Sequence, residues 1–139
     1  MHAHSTLTGT GLWWLKGFAA LYVVALPLAH AMFDQGYVWE IALFFLVAML
    51  FTYPYAAWRQ GRHFELELSV SAGLALIGVV GYFTTPWLII LAIAAHGVWD
   101  ISKHRNVGVP FFSWYTLGCA GVDITYASVL TLHHLRDIT

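Results

Sequence analysis

From Leu68 to Ala95 the chain carries neither a charged residue nor a histidine. A hydrocarbon core about 30 Å thick is crossed by ~20 helical residues, so this run is too long for a single crossing. Lipid offers the backbone no hydrogen-bond partner, which makes helix the expected conformation throughout. The stretch Gly81-Tyr82-Phe83-Thr84-Thr85-Pro86 interrupts the run, and Pro86 suits a first helical position, where its missing N–H costs little. Two short helices, about 65–83 and 86–104, are therefore expected. The alternative is a broken re-entrant pair of the kind transporters use at substrate sites.

The remainder of the chain is of the same kind. Charged residues make up 9% and hydrophobic residues 60%, whereas soluble domains carry about 25% charge. Too little charge is present to coat a water-facing surface, so an integral membrane protein is expected. A formal net charge of −1 gives no reason to expect a nucleic-acid partner, and a single cysteine excludes an intrachain disulfide. Lys16 ahead of an apolar stretch has the look of a secretory signal. However, Gly17 to Phe33 is long for such a core and Ala29-His30-Ala31 is a poor cleavage site, so it is read as a span.

The expected fold class is all-α: one polytopic transmembrane domain over residues 1–139, a bundle of about five spans at 12–33, 38–58, 65–83, 86–104 and 112–133. Pro27 should bend the first of these near its far end. An amino terminus in the cytoplasm places Lys16, Arg59, Arg62, Lys103 and Arg105 inside and only Arg136 outside, five of the six basic residues, as the positive-inside bias predicts. The carboxyl terminus then lies on the opposite side. Aromatic residues agree, with Trp13, Trp14, Trp58 and Trp114 at the inner boundary and Trp39 and Trp87 at the outer one. A bacterial inner membrane is the expected location.

Polar residues inside such spans are costly and call for an explanation. His96, Asp100 and His104 follow one another at i, i+4 and i+8 on the fourth span, and Cys119 and Asp123 share that spacing on the fifth. A short loop with Gly108 and Pro110 joins these spans, so they are antiparallel neighbours. At ~1.5 Å per residue, His96 lies about 12 Å deep and Cys119 and Asp123 bracket that depth. Three readings compete. In a structural one, neutral His96 bonds Asp123 and locks the hairpin, while Asp100 caps against Ser102 or pairs with Lys103. In a metal-site reading, His, Asp and Cys hold a transition metal, zinc, copper or iron. In the third, a desolvated carboxylate beside an imidazole performs acid–base work or binds a ligand. If the chain is an enzyme, His96 would be the ligand or base and Asp123 its buried partner.

A second group, His30, Asp34, Glu40, His133 and His134, falls near the outer face and reads more simply as solvated interfacial polarity. The same holds for His63, Glu65 and Glu67 inside and for His2 and His4. Gly97, Gly118 and Gly121 suggest close helix approach, as do Gly73, Gly78 and Gly81. Cys119 by itself reads as a small packing residue.

His96-Gly97-Val98-Trp99-Asp100, followed by His104, Pro110, Trp114-Tyr115, Cys119 and Asp123, resembles a family of small bacterial membrane proteins of unknown function. That family is characterised by a His-x-x-Trp-Asp motif on a late helix and a Cys and an Asp on the next. The resemblance covers the last third of the chain, implies His96, Asp100, Cys119 and Asp123 as a set, and implies no activity. The expectation carried forward is a membrane protein binding a metal ion or small ligand at this cluster. The rival expectation is a non-catalytic accessory subunit, packed against partner helices, lipid or pigment in a larger complex or a homo-oligomer.

Overall fold

The computed structural model describes residues 9–139, with side chains from Leu12 onward; His2 and His4 lie outside the described residues. Every regular element among the described residues is helical: α1 (Gly9–Met32), a 3₁₀ turn at Gln35–Tyr37, α2 (Val38–Met49), α3 (Thr52–Gln60), α4 (Phe64–Thr84), α5 (Pro86–His104) and α6 (Ser113–Asp137). Pro27 sits inside α1 without ending it. Pro86 opens α5 at its first turn, as expected for a residue with no N–H to lose.

Among the described residues, three helical segments are long and apolar enough to cross a membrane: Leu12–Met32 (21 residues), Gln35–Gln60 (26 residues) and Phe64–Thr84 (21 residues). The helices α5 and α6 are long enough but less apolar, because His96, Asp100, Lys103 and Asp123 lie within them. Length and hydropathy thus identify three crossing-competent segments among the described residues.

The sequence pattern predicts one continuous helix over 38–58, but the second of these segments is interrupted. α2 ends at Met49 and α3 begins at Thr52. Pro54 is the cause: it has no N–H to donate to the Leu50 carbonyl one turn back. Ser71 of α4 fills the gap, its hydroxyl donating to Leu50 O at 3.0 Å. Tyr53, at the start of α3, is 2% exposed and packs inside the bundle.

The most extensive packing is between α5 and α6, followed by α4 against α5, while α1 touches the rest sparsely. Buried residues on α5 (Ile89, Ile93, His96, Asp100, Lys103) recur every third or fourth position, as do Thr116, Ala120, Asp123, Ala127 and Leu130 on α6. Each helix therefore buries one stripe, and the polar residues lie on it. Apolar packing divides into two clusters. One gathers Leu46, Ile89, Ile93, Tyr126 and Leu130, the other Leu15, Tyr53, Val109, Phe111 and Tyr115. His96 and Asp123 fall between them along α5 and α6. The outward faces are apolar, with Leu91, Val98, Leu117, Val129 and Leu132 all exposed.

The glycines sort differently from expectation. A side chain at Gly78 would meet Leu46, at Gly81 the Ile89 backbone (2.8 Å), and at Gly97 Asp123 Cβ (3.2 Å), so these positions permit close approach. Gly73, Gly118 and Gly121 face open space and serve no helix contact. Gly108, in the α5–α6 loop, has φ +74° and lies against both Glu67 and Lys103. Gly108→Ala is therefore expected to destabilise by more than the roughly 1–2 kcal/mol of a left-handed non-glycine residue, because its methyl must also displace those side chains. Gly118→Ala is expected to be neutral or to stabilise by up to about 1 kcal/mol through helix propensity. Melting temperatures of the two variants in one detergent check the contrast; equal shifts would contradict it.

Candidate metal centre

The close approach at Gly97 brings the α5 and α6 stripes together. His96 is 3% exposed, Asp100 0% and Asp123 2%. His96 Nδ1 donates to Asp123 Oδ2 at 2.7 Å and lies 3.6 Å from Asp100 Oδ2. Tyr53 of α3 donates its hydroxyl to Asp100 Oδ1. The Tyr53 ring stacks at 25° on the His96 ring, centroids 6.1 Å apart, and so clamps it from the α3 side. One potential ligand atom from each of His96, Asp100 and Asp123 falls within 4.8 Å of the other two, an arrangement that could hold a metal ion.

Satisfaction of the group is incomplete. His96 Nε2 and Asp100 Oδ2 are buried without a hydrogen-bond partner among the described residues. Such atoms are rare in folded proteins because each forfeits its hydration for nothing. The charges are also unbalanced: two carboxylates face a single imidazole, and among the described residues no Lys or Arg pairs with either. A buried group of this kind is completed by a proton, water or a cation.

Several expected partners are elsewhere. Asp100 neither caps against Ser102 nor pairs with Lys103. The Ser102 hydroxyl bonds Val98 O at 3.0 Å, and Lys103 pairs with Glu67. Cys119 is not in the cluster; it lies part-buried on α6, one turn before Asp123, against the second apolar cluster. His104 is exposed at the end of α5, because the buried stripe leaves the i+8 position and passes through Lys103 instead.

The outer group does not assemble. His30 Nε2 bonds the Tyr126 hydroxyl at 2.7 Å, and Glu40 accepts from Tyr82 at 3.0 Å. Asp34 is exposed beside the 3₁₀ turn. His133 pairs with Asp137 at 3.3 Å, while His134 packs edge-on against Trp39 and Trp87. All but the exposed Asp34 have a local partner, as interfacial polarity would. His63 and Glu65 are exposed.

Glu67 is the opposite case. Read from the sequence as solvated, it is 0% exposed. Its carboxylate pairs with Lys103, accepts the Val109 N–H at 2.7 Å and accepts Trp99 Nε1 at 3.2 Å. Lys103 Nζ lies over the Trp99 ring, 4.7 Å from its centroid. A signal was available: the spacing Glu67, Val70/Ser71, Leu74, Gly78, Gly81 runs along one face of α4, and Glu67 begins it.

Compared with known proteins, the chain matches no family model, no curated protein and no solved structure.

The His96–Asp123 bond has a structural side that can be measured. Asp123→Asn retains an acceptor and is expected to keep the fold. Asp123→Leu strands His96 Nδ1 and is expected to cost about 1–3 kcal/mol. Because the two groups are in contact, His96→Leu with Asp123→Leu should recover part of the summed losses in a double-mutant cycle. Strict additivity would show that the pair carries no direct coupling.

Proposed function

We propose that this chain is a polytopic membrane protein of five spans that binds a transition-metal cation between α5 and α6 through His96, Asp100 and Asp123. The observation carrying the reading is the convergence of an imidazole and two carboxylates, all nearly inaccessible, with one His96 nitrogen and one Asp100 oxygen left unpartnered. One nitrogen and two carboxylate oxygens suit zinc or iron(II). The thiolate that would favour copper(I) is on Cys119, outside the group. Tyr53 orients Asp100 from behind, the role that hydrogen-bonded supports play for metal-binding carboxylates.

Five spans are supported by the apolar outward faces of α5 and α6, whose polar groups turn inward. An amino terminus in the cytoplasm is supported by the basic residues Lys16, Arg59, Arg62, Lys103 and Arg105 at one end of the spans. The resemblance of the last third to small bacterial membrane proteins is consistent with a bacterial inner membrane. It adds Cys119 to the set only as a neighbour.

The test is elemental analysis of the purified protein, wild type against His96→Ala and Asp123→Asn. Near-stoichiometric zinc or iron in the wild type, lost in both variants while they remain folded, supports the reading. A metal-free wild type that also takes up no added zinc or iron(II) removes it, and leaves a hairpin seam in a membrane subunit that acts through its partners.

A further inference from the structure

α1 stands off from the rest of the bundle: only 6% of its most apolar window is buried. Leu15, Leu26 and the His30–Tyr126 bond tether it. A cavity is left on each flank. One, of about 570 Å³, lies toward α6 and is walled by Phe18, Val23, Val24, Met49 and Val122. The other, of about 590 Å³, lies toward α2 and α3 and is walled by Leu15, Phe44, Val47, Phe51 and Phe111. Phe18 and Thr52 line both, so they form the partition between them.

Each cavity repeats one polar pattern. Lys16 and Trp114 border the first, Arg59 and Trp14 the second. Tyr22 meets Phe45 edge-on, and Leu15 joins Tyr53 and Ala56 in one apolar cluster, so α1 runs antiparallel to α2 and α3. Lys16, near the start of α1, and Arg59, near the end of α3, therefore occupy the same end of the bundle. Both are exposed, and among the described residues neither pairs with a carboxylate. Among those residues the one carboxylate bordering either cavity is Asp123. It is 2% exposed, bonded to His96, and more than two helical turns along α6 from Trp114. What the rim lacks is an anion. Indole beside a basic side chain is also the composition found where headgroups meet acyl chains. We propose that one anionic phospholipid straddles α1, with its headgroup at the Lys16–Arg59 end and one acyl chain in each cavity. Two cavities of nearly equal volume on either side of a single helix suit two chains, which a fatty acid does not have. A zwitterionic head suits the rim less well, because it brings a cation of its own. The proposal rests on the membrane reading and does not require a metal at His96.

Phosphatidylglycerol with a diazirine midway along each acyl chain tests this, against phosphatidylcholine carrying the same chains. Each is added in trace to the full chain in phosphatidylcholine nanodiscs. The glycerol lipid is expected to label residues 44–48 and 118–122, one segment per cavity. A basic residue beside an anionic headgroup contributes about a fivefold preference, so the choline lipid should label both segments about 25-fold less. Lys16→Gln and Arg59→Gln should each lower labelling by the glycerol lipid about fivefold, and together bring it to the level of the choline lipid. Both side chains are exposed and without an ion pair, so melting temperatures should stay unchanged. Equal labelling by the two lipids would make the cavities seats for any acyl chain and overturn the proposal. So would full labelling of the double variant, or labelling confined to one of the two segments. A chain that does not enter the nanodiscs would overturn this proposal together with the membrane reading, whereas the other three outcomes leave that reading standing.

Discussion

Exchanging any one of the three converging side chains, as His96→Ala, Asp100→Asn or Asp123→Asn, is expected to weaken zinc binding by more than 100-fold. The lower bound follows from supporting residues: losing a group that merely orients a ligand costs roughly 10–100-fold, and losing the ligand itself costs more. Cys119→Ser should leave affinity unchanged, since the thiol lies outside the cluster. The geometry adds a sign. His96 Nδ1 and Asp123 Oδ2 are 2.7 Å apart with a proton between them. A cation that takes Nδ1 moves that proton to Nε2, because a neutral ring has only one, so affinity rises with pH only while the ring is still an imidazolium and levels off once it is neutral. While the ring is an imidazolium one proton is released on binding, and the apparent Kd should fall about tenfold per pH unit in that range alone. Competition against a chromophoric chelator at several pH values measures both effects. Zinc binding that ignores the three substitutions but disappears with Cys119→Ser would move the centre to the thiol.

The largest effect on stability is expected at Glu67 and Lys103. Both are almost completely buried, and each holds the other. Neutralising one strands the other charge in a low-dielectric interior, which costs about 3–5 kcal/mol. Glu67 should be the more damaging position. Glu67→Leu leaves Lys103, the Val109 N–H and the Trp99 indole without their acceptor, whereas Lys103→Met frees only Glu67. The double variant Glu67→Leu with Lys103→Met should recover most of the charge penalty. It should fall short of wild type, because the Val109 and Trp99 donors remain unpaired. Thermal unfolding in a mild detergent ranks the variants. Hydrogen exchange at Val109 should rise in Glu67→Leu, because that bond ties the α5–α6 loop to α4. Single variants within about 1 kcal/mol of wild type, as at ordinary surface positions, would refute the assignment of this pair as the pin of that loop.

The two buried groups differ in how well they could be read from the chain. His96 and Asp123 stood out because ionisable residues in long apolar runs have few innocent explanations, and the short loop after His104 made their helices neighbours. Asp100 lay one turn from His96 and was legible for the same reason. Its true partner was not: Tyr53 lies 47 residues earlier in the chain, and nothing in the local pattern of α3 points its ring at α5. Glu67 was misread because it sits among Arg62, His63 and Glu65 in the most polar loop, where local composition suggests solvent. Cys119 and His104 were overvalued for a geometric reason. Spacing at i+4 and i+8 drifts around a helix with 3.6 residues per turn, so residues in series along one face need not all share the buried stripe.

What the chain by itself determined was the secondary structure: too little charge to coat a water-facing surface, and runs long and apolar enough to cross a membrane as helices. It also determined which of those helices carry groups that must be hidden. Tertiary structure alone decided which groups meet, since meeting depends on Tyr53 of α3 reaching Asp100, on the close approach at Gly97 and on the return of the loop at Gly108 over Glu67. These are long-range contacts, with Glu67 and Val109 or Tyr53 and Asp100 separated by more than forty residues. No local periodicity encodes such contacts; they form because each buried polar atom accepts the nearest partner that the packing of the apolar faces leaves within reach.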